Sequence, residues 1–131
     1  MSKTIEQTVT FKATPREVYE ALMDSRKHSQ FTAAQANISR NVGGEFTAYD
    51  GGIRGKNQEL VPHTKIVQSW LCRADGWPQD HFSELTITLR AVKGGTRLRL
   101  IQTDVPDAAY DICTHGWREA YWEKMKAAFE W

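Results

Sequence analysis

From residue 45 to residue 103 the chain is written as short runs of alternating apolar and polar residues, each closed by a glycine- or proline-bearing break. Glu45-Phe46-Thr47-Ala48-Tyr49 ends at Asp50-Gly51-Gly52, Ile53 to Val61 ends at Pro62-His63-Thr64-Lys65, and Phe82 to Val92 ends at Lys93-Gly94-Gly95. Alternation with a period of two marks a strand with one buried face, and the glycines supply the positive φ that tight hairpins require. Strands joined by such short turns pair antiparallel. Within the run, Leu85, Ile87 and Leu89 oppose Glu84, Thr86, Thr88 and Arg90, and Leu98 and Leu100 share one face of 96–103. Ile66 to Leu71 reads as a more apolar strand, and 74–81, Ala-Asp-Gly-Trp-Pro-Gln-Asp-His, is the longest irregular connection.

Before this run lies one further strand, with Ile5, Val9 and Phe11 on its apolar side and Gln7 as the exception. Thr14-Pro15-Arg16-Glu17 then carries three helix-start signals: a capping threonine, proline at the first helical position and glutamate three residues after the cap. The helix that follows buries Val18, Tyr19, Leu22 and Met23, and Arg26 to Phe31 is a second short helix or turn. After the run, Pro106-Asp107 opens a helix to about Phe129, in which Cys113, Trp117, Tyr121, Met125 and Ala128 form an apolar stripe. Gly116 inside it costs ~1 kcal/mol relative to alanine, which suits a close approach to the sheet. The order is strand, helix pair, about six strands, long helix. That is an α+β chain whose antiparallel sheet must twist and curve, with the last helix on its concave face and a cavity between them.

A length of 131 residues with 40% hydrophobic and 25% charged residues fits a single domain over 1–131 with one core. The net charge of +1 gives no basis for a nucleic-acid footprint. No stretch approaches the ~18 apolar residues of a membrane span. The N-terminus has no apolar signal region, and Cys72 and Cys113 form no paired motif, so a reducing, cytoplasmic setting is expected.

His28, His63, His81 and His115 are scattered, so no metal and no cofactor is expected. Glu45, Glu59 and Asp104 are candidate acid–base groups, Glu59 the best placed. Each reads more simply as a strand carboxylate facing water, and the chain as a binder rather than an enzyme. Cys113 reads as a small apolar filler on the helix. The expected cavity lining is Phe46, Ala48, Gly55, Gln68, Trp70, Leu85, Ile87, Leu98, Leu100, Trp117 and Tyr121. Ala48 and Gly55 would leave room there, and Gln68 and Gln102 would add polar groups. Trp77, in a connection, either caps the open end of the core or joins His81 in a partner surface. Arg54, Lys56, Arg97 and Arg99 are expected to offer a mild basic patch for an acidic partner.

The order of elements resembles the helix-grip fold of the START and Bet v-like proteins. A narrower likeness rests on an ordered series of motifs: Val42-Gly43-Gly44-Glu45-Phe46, Asp50-Gly51, Gly55, Glu59-Leu60-Val61-Pro62, and Ile66-Val67-Gln68-Ser69-Trp70. Trp77-Pro78, His81-Phe82-Ser83, Gly95-Thr96-Arg97-Leu98, Gln102-Thr103, Val105-Pro106, Gly116-Trp117 and Tyr121-Trp122 complete it. From about residue 4 to 130 the series resembles the C-terminal domain of the activators of heat-shock protein 90 ATPase, the Aha-type co-chaperones. The resemblance implies a sheet of six to seven strands around a long helix. It implies heat-shock protein 90 as the partner and modulation of that chaperone's ATPase as the activity. In longer members this domain reaches the chaperone's dimerised ATP-binding domains, and a separate N-terminal domain binds its middle segment. Relatives in the wider superfamily hold apolar small molecules in the cavity, and some catalyse on them. This leaves a carrier of a small apolar ligand, and after it a cyclase-like enzyme, as alternatives.

Overall fold

A computed structural model of the chain describes residues 2–129; Met1, Glu130 and Trp131, the ends of the expected 1–131 domain, lie outside the described residues. β1 (Ser2–Phe11) is followed by α1 (Pro15–Met23) and α2 (Ser25–Thr32). Then come β2 (Asn37–Ile38), β3 (Glu45–Ala48), β4 (Ile53–Val61), β5 (Lys65–Cys72), β6 (Ser83–Val92) and β7 (Gly95–Pro106). The seven strands form one antiparallel sheet in the order β1-β7-β6-β5-β4-β3-β2. The first strand therefore returns beside the last. The C-terminal helix runs through α3 (Tyr110–Gly116), a π turn (Trp117–Trp122) and α4 (Glu123–Phe129). A curved sheet around this helix, with two short helices after the first strand, is the helix-grip fold.

The local signals act as their chemistry requires. Thr14 Oγ1 accepts from Glu17 N at 3.1 Å while the Glu17 carboxylate accepts from Thr14 N at 2.9 Å, so the capping box is complete. Asp24 caps α2 through Lys27 N. The fully buried Leu85, Leu98, Leu100, Ile66 and Val105 line the inner face of the sheet. Each such side chain contributes about 1.5–3 kcal/mol over leaving it in water. Three boundaries differ from the sequence reading. β2, only two residues long, is too short to show a period. β7 continues through Pro106 because Lys3 and Ser2 pair with Val105 and Pro106. The helix begins at Tyr110 after a 3₁₀ turn (Asp107–Ala109), so Pro106 closes the strand instead of opening the helix.

The π turn decides how the helix meets the sheet. Residues five apart in an α-helix point roughly 140° from each other, whereas i→i+5 bonding in a π turn brings them onto one face. Trp117 and Trp122 are both buried and their rings stack at 5.3 Å with planes 17° apart. Each indole N–H donates to a glutamine of the sheet: Trp117 to Gln102 Oε1 at 2.9 Å and Trp122 to Gln7 Oε1 at 2.6 Å. Gln7 breaks the apolar alternation of β1 because it is the sheet's acceptor for the helix. Its own amide donates onward to the Thr114 carbonyl at 3.0 Å.

Candidate functional site

Where the start of β4 and the end of β5 meet the first half of the C-terminal helix, a cavity of about 250 Å³ opens at the end of the sheet. Its walls are mostly apolar, with Ile53, Trp70, Cys72, Ile112, Trp117 and Tyr121 among them, and Arg73 also borders it. Tyr49 stands beside it in the turn between β3 and β4. There Tyr49 (φ 49°) and Asp50 (φ 57°) both adopt the left-handed conformation, along with Gly51 (φ 89°). Two non-glycine residues held there store strain that the surroundings must offset. Asp50 is held by the exchange of hydrogen bonds with Gln35, and the Tyr49 hydroxyl donates to the Ala120 carbonyl in the π turn. Burial pushes the Tyr49 phenol up to about 12, so it stays neutral and keeps donating. The expected turn at Asp50-Gly51-Gly52 is present, with left-handed backbone already at Tyr49.

Of the expected lining residues, Trp70, Trp117 and Tyr121 border this cavity. Phe46, Gln68 and Ile87, again with those three, border a second void of only about 20 Å³ deeper under the helix. Ala48, Leu85, Leu98 and Leu100 border neither and are packed core. Gly55 leaves no space in the interior: a Cβ there would stand 1.8 Å from the Ser69 carbonyl oxygen and 2.9 Å from the Phe46 ring. The middle of the groove is filled because aromatic rings meet across it, Phe46 on Trp70 at 5.5 Å, Trp70 on Trp117 at 5.1 Å and Trp117 on Tyr121 at 5.0 Å. The cavity survives only at the end, where Gly52 and Gly116 present no side chain.

Both interior glutamines are hydrogen-bonded within the interior. Gln102 accepts from Trp117 and donates to Ser83 Oγ at 2.9 Å, and Gln68 donates to Asn57 Oδ1 at 2.9 Å. Asn57 in turn donates to the Ser39 and Asn41 carbonyls, so this polar chain pins the loop before β3 to the sheet. His28 is buried beside the deeper void. Its Nδ1 donates to the Leu22 carbonyl at 3.1 Å, and Nε2 is paired with the Tyr121 hydroxyl at 2.9 Å. Burial lowers the His28 pKa from its ordinary value, so the ring is neutral and Nε2 accepts from Tyr121. Burial also holds the Tyr121 phenol well above its ordinary value.

No acid–base pair assembles from the carboxylates named by the sequence. Glu45 and Glu59 are exposed, Glu59 pairs with Lys65 at 3.4 Å, and exposed Asp104 accepts from Ser2 Oγ at 3.4 Å. Among the described residues, no three His, Cys, Asp or Glu side chains are grouped to hold a metal ion, and no helix is long and apolar enough to cross a membrane. The structure does bring Cys72 and Cys113 together on the wall of one cavity. Their separation in the chain conceals this. Cys72 is the last residue of β5 and Cys113 the middle residue of α3, positions that share no sequence pattern.

On the outer face of the sheet, the basic residues expected to form one patch form two. Arg97 lies directly opposite Arg90, and Arg99 stands one row further along, between Thr88 and Thr8. None of these three arginines has a carboxylate within ion-pair distance among the described residues. Arg54 sits at the other end, ~27 Å along the sheet from the Arg90–Arg97 row at ~3.4 Å per residue, with Lys56 two residues nearer. There Arg54 approaches Asp80 at 3.9 Å and lies over the exposed Phe82 ring at 6.0 Å. Trp77 is half-buried against the core, and its indole donates to the His81 carbonyl at 2.8 Å. His81 Nε2 donates to the Asp104 carbonyl at 2.6 Å, and Gly76 packs so closely on Ala108 that a Cβ would meet it at 2.8 Å. These contacts tie the long loop down over the open end of the sheet. Phe82, exposed beside this loop, is the aromatic that the sequence reading assigned to a strand start and not to the surface.

A helix-grip domain with a packed interior, a small apolar end cavity and an arginine row without carboxylate partners among the described residues is the class of protein that these features define. The family model described as activator of Hsp90 ATPase homolog 1-like protein matches residues 12–130, and the chain belongs to that family. It is 32% identical to the human activator of 90 kDa heat shock protein ATPase homolog 1 over 120 residues, which are 92% of this chain and 35% of the relative. It is 30% identical to the Dictyostelium discoideum homologue over 132 residues, 99% of this chain and 34% of that protein. The chain thus spans about a third of the length of these curated relatives. An HSP90 activator from Plasmodium falciparum superposes with a TM-score of 0.85 at 24% identity, covering 95% of this chain and 94% of that one. The Aha1 dimer from Colwellia psychrerythraea gives 0.79 at 19% identity, covering 98% and 96%. At such identities the two structures establish the shared fold alone.

Proposed function

We propose that this chain is one cytoplasmic co-chaperone domain that binds heat-shock protein 90 and modulates its ATPase, without catalysis or cofactor of its own. The observation that carries the reading is similarity over more than nine-tenths of this chain to proteins named as activators of that ATPase. A non-covalent partner can raise a chaperone's turnover only through its differential affinity for the state that turns over. The domain therefore acts by binding the closed, ATP-competent form more tightly than the open one. Arg97 and Arg99, with Arg90, form the surface assigned to an acidic partner face. Like charges directly opposite in a sheet are destabilising, so the Arg90–Arg97 pair suits a site completed by another protein's carboxylates. Arg54, Lys56, Trp77 and His81 frame a second contact around the Phe82 ring. Calorimetric titration of the chaperone, held closed with a non-hydrolysable nucleotide, tests this reading. Association in the micromolar range or tighter is expected, weakened at least ~10-fold by Arg97→Glu with Arg99→Glu. Absence of binding by the unaltered domain contradicts it.

The end cavity favours a second reading, a small apolar ligand held between Tyr49, Trp70 and Trp117. At about 250 Å³ the space exceeds the ~150 Å³ that accepts benzene in an engineered cavity, though it falls short of a drug-sized pocket. Stabilisation of the domain by single-ring aromatics, lost on Gly116→Leu, would support it; an unchanged Tm across such a panel would exclude it.

A further inference from the structure

The two cysteines come from different elements, β5 and α3, and both line the end cavity. Both are free and partly exposed, so small polar solutes can reach them. They are neighbours on the wall of that one cavity, and each acts on the other's ionisation. Cys113 lowers the Cys72 thiol from its ordinary value, Cys72 raises that of Cys113, and burial adds to the rise. The nucleophile in thiol chemistry is the thiolate, and an accessible thiol that ionises more readily than the second thiol beside it is the arrangement of an attacking and a resolving cysteine. A buried structural cysteine shows neither feature. The cavity wall also has room for motion here, because α3 ends at Gly116 and passes into the π turn, where the helix hydrogen bonds are already displaced.

We propose that Cys72 and Cys113 form a hydroperoxide-responsive pair that closes into a disulfide joining the end of β5 to the C-terminal helix. The Cys72 thiolate attacks one peroxide oxygen, the O–O bond breaks, and the departing hydroxide takes a proton and leaves as water. Cys72 is then a sulfenic acid, and the anion that disfavoured ionisation of Cys113 is gone. Cys113, losing that proton to solvent, attacks the Cys72 sulfur; the S–S bond forms, the S–O bond breaks, and a second water leaves. Two thiols and one hydrogen peroxide thus become one disulfide and two waters, the peroxide being the oxidant. The sulfurs must close to about 2.05 Å, which draws the two walls together and narrows the cavity. The proposal does not depend on the chaperone reading, since it concerns chemistry within the chain.

The direct test is thiol counting on the reduced wild-type chain after treatment with about one equivalent of hydrogen peroxide, followed by peptide mapping. The expected result is loss of both alkylatable thiols, a monomer by non-reducing electrophoresis, a mapped Cys72–Cys113 cross-link, and recovery of both thiols with dithiothreitol. In the Cys113→Ser variant, a sulfenic acid trapped by dimedone should accumulate at Cys72. Cys72→Ser should react with peroxide at least ~10-fold more slowly, following the loss of the more acidic thiol. Two thiols surviving an exposure that oxidises a free cysteine, over-oxidation with no cross-link, or disulfides only between chains would each overturn the proposal. The wild-type measurement stands even if a serine variant fails to fold.

Discussion

At Gly55 the absent side chain matters more than most of those present. Alanine there would force its Cβ against the Ser69 carbonyl, a backbone atom that cannot turn aside, so Gly55→Ala should destabilise the fold by about 1–3 kcal/mol or more. Urea denaturation of the variant checks this, with Gly43→Ala as a contrast, since nothing lies near a Cβ at Gly43 and only its positive φ would be strained. His28 makes a second prediction at this scale. Its pKa is lowered in the folded chain by burial, so the unfolded chain binds the proton more readily. Stability from the neutral His28–Tyr121 contact is therefore complete above about pH 6.5, the group's ordinary value, and is lost as pH falls from there through the folded pKa. The urea midpoint should fall over that interval in the wild type and fall less in His28→Gln. An equal fall in both would assign the pH dependence elsewhere. Sequence reasoning saw Gly55 as empty space and His28 as one of four scattered histidines, because neither a missing Cβ's neighbours nor a burial depth has a sequence period.

Elements were more legible than residues. The hairpin run, the capped first helix and the long terminal helix follow from periods and turn chemistry, and the structure has all three. The π turn was hidden because Cys113, Trp117, Tyr121 and Met125 already satisfy a four-residue repeat, which leaves Trp122 on a flank. Only the exception at Gln7 hinted at an interior polar partner. The two indole–glutamine bonds that fix the helix can be tested separately. Trp117→Phe strands the fully buried Gln102 oxygen and should cost about 1–3 kcal/mol beyond the lost packing. Trp122→Phe strands the Gln7 oxygen, which is only half-buried, and should cost less. Equal losses in the two variants, measured by urea denaturation, would mean that ring volume and not the N–H positions the helix.

For the molecule as a whole, the interior and the outer face answer different questions. The interior is filled by interlocking aromatics and hydrogen-bonded glutamines, and most of its remaining space lies at one end, which explains why most residues expected to line a ligand site are core. The outer face keeps three arginines without carboxylate partners among the described residues, with Arg90 and Arg97 directly opposed. Separate basic clusters could not be distinguished in the sequence, because strand order and register place Arg54 and Arg97 at opposite ends of a sheet that no local pattern encodes. The co-chaperone account rests on family membership joined to that face. It is tested most directly by the steady-state ATPase rate of the cognate heat-shock protein 90, measured with a saturating excess of this domain and with the Arg97→Glu, Arg99→Glu variant. The account predicts a change in rate with the unaltered domain that the folded double variant largely abolishes. No change in rate with the unaltered domain, or an equal change with the double variant, would contradict it.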